Sequence, residues 1–133
     1  SKNKLNIFSD LKYFSTLSYS LAIMITDLNY LKTMSGGDTK FIREMIDLFR
    51  EQIEEYKSIM PELLEKKDYD GLSKIAHKAK SSVAVMGMTE VADLLKELEI
   101  LAHDSKEVDR YEPIITHFLE QSEQAISELE GSY

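Results

Sequence analysis

The chain has 133 residues, a length that suits one domain with a single hydrophobic core. Hydrophobic residues make up 43% and charged residues 30%, which excludes a disordered chain. The net charge of −8 argues against nucleic-acid binding, which needs clustered Lys and Arg, and the absence of cysteine excludes disulfides and thiol catalysis. No apolar run is long enough to cross a bilayer, so we expect no membrane insertion and a cytoplasmic location.

The first half of the chain predicts two helices after an irregular start. Residues 1–26 show no clean hydrophobic period, and we expect an N-terminal extension or a linker from a preceding domain. Residues 26–27, Thr-Asp, are a predicted N-cap for a short helix that ends at the glycines of residues 36–37. Apolar residues then recur at helical spacing over residues 41–64, and we expect Pro61 to kink this long helix without breaking it.

Three further helices are predicted in the rest of the chain. The first runs from about Asp70 to Met86 and ends at Gly87. Thr89 is the predicted N-cap of the next helix. The last helix covers about residues 109–130, with Pro113 tolerated in its first turn.

These elements predict an all-α fold, because no stretch has the two-residue period of a half-buried strand. Long amphipathic helices joined by short turns are expected to be antiparallel neighbours. We therefore predict an antiparallel up-down four-helix bundle with a short additional N-terminal helix, formed by residues 27–133.

One histidine of the third predicted helix faces away from the apolar side of that helix. At about 100° per residue, the apolar residues between 72 and 86 share one face and His77 lies opposite. An ordinary solvated histidine is one interpretation. However, Lys80 lies beside the ring, where its charge can partly neutralise a dianion on the imidazole, and Ser81 leaves a gap for a partner protein. The second interpretation is a docking site with one titratable nucleophile.

The surroundings of His77 predict the kind of partner that docks there. Ser73, Lys74, Ser81 and Ala84 are predicted to share its exposed face. Small side chains and a local lysine charge in an acidic molecule suit the acidic pocket of another protein better than a polyanion.

Glu99 is the candidate partner of the imidazole ring. His77 precedes Gly87 by ten residues and Glu99 follows it by twelve, so a helical hairpin brings the two to similar heights on adjacent helices. A carboxylate there can accept a hydrogen bond from Nδ1–H and fix the tautomer that presents Nε2 to solvent. The alternative is a solvated Glu99 that pairs with Lys96 or His103.

Several of these motifs occur together in one known family. Residues 76–82 read Ala-His-Lys-Ala-Lys-Ser-Ser, residues 86–87 Met-Gly, and residues 94–99 Leu-Leu-Lys-Glu-Leu-Glu. In this order and spacing they resemble the histidine-containing phosphotransfer (HPt) domains of multistep two-component phosphorelays. The first two predicted helices resemble those of the same domains.

The resemblance implies a phosphorelay intermediate. His77 would accept a phosphoryl group from an aspartyl phosphate of a receiver domain and pass it to the aspartate of another receiver, with Lys80 and Glu99 assisting. The alternative function is a catalytically inert helical-bundle interaction module that docks a receiver or another acidic partner.

Cofactors and partners follow from the same resemblance. We expect no cofactor in this chain, because the partner receiver supplies Mg²⁺, and no metal site, because His103 and His117 are not expected to converge with His77. No nucleotide-binding motif is present, so we expect no kinase or ATPase activity of its own. The expected partners are receiver domains of response regulators or hybrid kinases. The chain is expected to be a monomer and is compatible with the end of a hybrid sensor histidine kinase.

Overall fold

A computed structural model describes residues 25–132, and within them it contains only helices and connecting turns. The all-α class is therefore confirmed, whereas nearly all of the predicted extension, residues 1–24, lies outside the described residues. Among the described helices, none combines the length and hydropathy needed to traverse a lipid bilayer. The helices are α1 (Asn29–Ser35), α2 (Thr39–Glu65), α3 (Tyr69–Val85), α4 (Thr89–His103), a 3₁₀ turn (Val108–Arg110) and α5 (Tyr111–Ser132).

Each of the four long helices packs against two others. The most extensive contact is between α3 and α4, while α2 contacts α3 and α5, and α5 contacts α4. The core lies between them and contains large apolar side chains that are fully buried. Tyr56 of α2 and Phe118 of α5, for example, pack with their ring centroids 6.0 Å apart. This packing holds the α3–α4 pair, which carries the candidate site, against the rest of the domain.

Aspartates begin the two helices that lead to the site. The Asp38 carboxylate accepts the amide hydrogens of the first turn of α2, at 3.0 Å from Lys40 N and 3.3 Å from Phe41 N. The helix then continues through Pro61, so the predicted absence of a break is confirmed. At the start of α3 the capping carboxylate belongs to Asp68, which places the helix start one residue before the predicted one.

Two predicted N-caps are wrong. The N-cap of the first helix is Leu28, because the Thr26 hydroxyl instead donates a hydrogen bond to Glu128 at 2.8 Å, although the Asp27 carboxylate still accepts the amide of Asn29, the first helical residue, at 3.0 Å. At the start of α4 the N-cap is Met88, and Thr89 is the first helical residue. The local pattern assigns the Thr26 side chain to an N-cap, but this side chain bonds to the carboxylate of Glu128, which is distant in the sequence.

The chain enters the bundle between α5 and the α3–α4 turn. The amides of Ile25 and Thr26 donate to the Glu128 carboxylate at 3.0 and 3.1 Å. The amide of Asp27 donates to the carbonyl of Met86 at 3.0 Å. Within the described residues, contacts with the bundle are therefore already present at Ile25, two residues before the predicted boundary at residue 27.

Gly87 follows α3 at the point where residues 25–27, the entry segment, lie against the α3–α4 turn. Its φ is +73°, in the left-handed region that favours glycine. A Cβ at this position would overlap the Asp27 carbonyl oxygen and lie 2.7 Å from the Asp27 nitrogen. The sequence predicts Gly87 as a helix end, and the structure adds that the entry segment leaves no room for a side chain.

Candidate functional site

His77 lies midway along α3, and 64% of its side chain is exposed. Ala76 and Ala79, its neighbours on the inner side of the helix, are fully buried. The helical period therefore turns the imidazole outwards, as the sequence predicts.

Glu99 of α4 contacts the ring from the adjacent helix. Its Oε1 lies 2.6 Å from His77 Nδ1, and only 25% of its side chain is exposed. A carboxylate can only accept in this contact, so it favours the neutral tautomer that carries its proton on Nδ1. Nε2 has no hydrogen-bond partner among residues 25–132 and is left as the free ring nitrogen. The alternative pairing of Glu99 with Lys96 or His103 does not occur.

Lys80 completes a three-residue cluster around this carboxylate. Its Nζ lies 3.5 Å from Glu99 Oε2, and the lysine is partly buried. Burial raises the pKa of Glu99, but the His77 hydrogen bond and the Lys80 charge together outweigh it and leave the pKa below the ordinary 4.5. Because the pKa is lowered on folding, the stability contributed by this carboxylate is present above the ordinary pKa and is lost as pH falls through the lowered one.

A family model of the Hpt domain matches residues 44–132, about two thirds of the chain. The chain belongs to the Hpt family. No curated protein and no solved structure matches it. Family membership implies involvement in histidine phosphotransfer within a phosphorelay, where Hpt domains interact with receiver domains. The match begins within α2 and includes the His77–Glu99 contact.

One predicted partner-binding residue of the Hpt domain, Ser73, does not lie on the exposed face to which the sequence pattern assigns it. Ser73 is only 6% exposed, and its hydroxyl donates to the backbone carbonyl of Glu99 at 2.7 Å. The physical reason is that α4 packs on this side of α3, so the residue one turn before His77 faces α4 and not solvent. A partner protein therefore has no direct access to Ser73.

The other predicted partner-binding residues are exposed. Lys74, Ser81 and Ala84 all lie on the solvent side of α3. Lys74 pairs with Asp70 one turn earlier at 3.0 Å, a surface ion pair of the kind that contributes little stability. These three residues and His77 leave a continuous accessible strip along the helix.

An apolar groove beside this strip was not predicted. It lies between α2 and α3, has a volume of about 230 Å³, and reaches Ser81, one turn from His77. Leu48 keeps the apolar period of α2, so the sequence pattern alone assigns it to the core, but its side chain is 43% exposed and helps to form the surface of the groove. The groove is lined mainly by Met45, Leu48, Gln52, Ser81, Ser82 and Val85.

The remaining histidines of the Hpt domain have other surroundings. His117 lies 3.4 Å from Glu90, and His103 is the last residue of α4. Within residues 25–132 no group of three or more His, Cys, Asp and Glu side chains is arranged to hold a metal ion. The expectation that the chain binds no metal stays a prediction.

We expect Glu99→Ala to loosen control of the imidazole tautomer. Without the carboxylate acceptor, the neutral His77 ring should shift toward the Nε2–H form, because nothing then favours a proton on Nδ1. Side-chain ¹⁵N shifts, measured at alkaline pH, report the two neutral tautomers. Glu99→Gln is the matched control, because its amide oxygen still accepts the hydrogen bond. Identical nitrogen shifts in Glu99→Ala and the wild type would show that the contact does not control the ring.

Proposed function

We propose that this Hpt domain is a phosphorelay intermediate with His77 as its phosphoacceptor. The observation that supports this most directly is the 2.6 Å contact between His77 Nδ1 and Glu99, which leaves Nε2 available as the nucleophile. The Nε2 lone pair attacks phosphorus, an N–P bond forms, and the P–O bond to the receiver aspartate breaks to release a carboxylate. The Nδ1 proton stays in the hydrogen bond to Glu99. In the second half of the relay, a carboxylate oxygen of another receiver's aspartate attacks the same phosphorus, a P–O bond forms, and the N–P bond breaks to return its electron pair to Nε2.

Lys80 is proposed to stabilise the phosphoryl group electrostatically. In the unphosphorylated protein its ammonium lies 3.5 Å from Glu99 Oε2, a separation typical of a loose ion pair. The long, flexible lysine side chain can therefore turn toward a dianion on the nearby Nε2 while Glu99 keeps its bond to Nδ1. No cofactor of this chain takes part, and Mg²⁺ is assigned to the receiver.

The receiver is proposed to dock on the strip of Lys74, Ser81 and Ala84 and in the adjoining groove. Ser81 belongs to both surfaces, so a partner seated in the groove also covers the surface next to His77. The apolar lining of the groove offers surface that a receiver can bury, and the positive charge of Lys74 suits the acidic site of a receiver. Ser73 is removed from this surface because it is buried.

We further infer an antiparallel up-down arrangement of α2 to α5, with residues 27–133 as the bundle domain and residues 1–26 as the extension. Consecutive long helices that pack together are joined by short connections, only three residues long on either side of α3. A monomeric cytoplasmic domain without kinase or ATPase activity, alone or at the end of a hybrid sensor kinase, remains our expectation.

The test uses a phosphorylated receiver domain from the same source. With ATP and Mg²⁺ alone, the Hpt domain is expected to acquire no label. With the phosphorylated receiver, it is expected to acquire one phosphoryl group that is labile in acid and stable in base, as a phosphohistidine is. Label from ATP alone, or an acid-stable label, would contradict the proposal. Receiver binding without any label would favour the inert interaction module.

We expect Ser81→Phe to block transfer by preventing close docking. A phenylalanine one turn from His77 projects into the space that the receiver must occupy, so the transfer rate should fall about tenfold or more. Stability should change by only about 0.5 kcal/mol, because the position is exposed. Ser58→Phe, on the exposed side of α2 outside the groove, is the matched control and should transfer normally.

Lys80→Ala, in contrast, should slow transfer while receiver binding is retained.

An unchanged transfer rate in Ser81→Phe would remove the steric argument. Equal losses in Ser81→Phe and Ser58→Phe would assign the effect to the added ring itself and not to its place beside His77.

A further inference from the structure

We propose that Ser73 is a positioning residue for phosphotransfer, acting through the backbone of Glu99. Its hydroxyl fixes α4 against α3 at the register that lets the Glu99 carboxylate meet His77 Nδ1. This inference rests on the proposed roles of His77 and Glu99.

Two adjacent turns of α3 contact the same residue of α4. Ser73 Oγ donates to the Glu99 carbonyl at 2.7 Å, and one turn later His77 Nδ1 lies 2.6 Å from the Glu99 carboxylate. Glu99 is thus held at its backbone and at the end of its side chain. With the Glu99 backbone fixed relative to α3, the carboxylate can reach only the positions that the side-chain rotamers allow from that one point.

The buried environment makes the Ser73 bond specific. Ser73 is only 6% exposed, so its hydroxyl would be left desolvated and unpaired if this bond were lost. The Glu99 carbonyl can accept the bond because a carbonyl oxygen has two lone pairs, and an intrahelical bond uses only one of them. Ala76, one turn after Ser73, and Ala102, one turn after Glu99, are both buried in the apolar core. Apolar contacts of this kind tolerate small axial shifts, while a single buried polar contact selects one register.

Ser82 supplies a natural comparison on the same helix. Its hydroxyl lies 2.9 Å from the Tyr56 hydroxyl and so links α3 to α2, the neighbour on the other side. Removing it also breaks a contact between helices, but one that does not involve Glu99. The two serines therefore separate the general cost of a lost interhelical hydrogen bond from an effect on the imidazole.

The first experiment measures the His77 tautomer by side-chain ¹⁵N shifts at alkaline pH. Ser73→Ala is expected to shift the ring toward the Nε2–H form, part of the way to the Glu99→Ala spectrum, and Ser82→Ala is expected to leave it at the wild-type position. This readout needs no receiver, so it tests Ser73 even if the proposed phosphotransfer fails. A wild-type tautomer ratio in Ser73→Ala would overturn the inference.

The second experiment compares transfer rates in a double-mutant cycle. Ser73→Ala alone is expected to slow transfer about tenfold, because a small displacement of Glu99 impairs the orientation of the nucleophile. In a Glu99→Ala background the same substitution should have no further effect, because its route of action is already gone. Ser122→Ala, which removes a buried hydroxyl without a hydrogen-bond partner among the described residues, should transfer normally.

The outcomes distinguish this inference from the proposed function. Independent, additive losses from Ser73→Ala and Glu99→Ala would show that Ser73 does not act through Glu99, while phosphotransfer itself would stand. Absence of transfer from the wild type would reject the proposed function and leave the tautomer measurement to decide the role of Ser73.

Discussion

Gly87→Ala is expected to destabilise the domain by about 2 to 5 kcal/mol, the sum of a left-handed backbone cost and a steric overlap. The residue has φ +73°, and an added Cβ would collide with the backbone of Asp27. Relief of that collision requires the entry segment to move, which breaks the hydrogen bond from the Asp27 amide to the Met86 carbonyl. Urea and thermal unfolding measure the loss.

Substitutions at two other glycines separate the backbone cost from the cost of steric overlap. Gly36 also has a positive φ, of +63°, but a Cβ there would have no heavy atom within 4 Å, so Gly36→Ala should show only the backbone cost of about 1 to 2 kcal/mol. Gly131 has open space and no positive φ, so Gly131→Ala should be neutral or slightly stabilising. If Gly87→Ala is no worse than Gly36→Ala, the close approach of Asp27 does not constrain the fold.

His77→Gln is expected to abolish phosphoryl transfer from the receiver. The glutamine amide can form hydrogen bonds of similar reach, but its nitrogen lone pair is delocalised and does not attack phosphorus. Because the histidine side chain is 64% exposed, the free energy of unfolding should change by no more than about 0.5 kcal/mol. The measurement is the rate of label transfer together with a thermal unfolding curve of the same preparation.

His103→Gln and His117→Gln are the matched controls for that loss. Neither side chain lies in the His77–Glu99–Lys80 cluster, so both variants should accept label at the wild-type rate. Label that persists in His77→Gln, or that disappears in either control, would place the phosphoacceptor elsewhere.

The sequence was sufficient for the helices and for the main contact of the site. Helical spacing of apolar residues predicts all four long helices, because each helix buries one continuous stripe. Similar separations from Gly87, ten and twelve residues, predict the pairing of His77 with Glu99, because two helices joined by a tight turn rise equally per residue. These inferences depend only on local geometry, which the sequence contains.

Features that depend on the neighbouring helix were not predictable in the same way. Ser73 lies at the edge of the polar face of α3, and only the side on which α4 packs decides that it is buried. The Thr26 hydroxyl satisfies a local capping rule, yet it bonds to Glu128, 102 residues away. The groove requires two helices whose apolar stripes do not meet completely, which a pattern within one helix does not reveal.

Phosphotransfer is proposed to use Nε2 of His77, the ring nitrogen that Glu99 leaves free. The most direct measurement is ¹⁵N–³¹P correlation by NMR on the labelled domain after transfer from a phosphorylated receiver. The proposal predicts a single phosphorus bonded to Nε2 of His77, with the proton retained on Nδ1. Phosphorus bonded to Nδ1 of His77, or to any other residue, would contradict it.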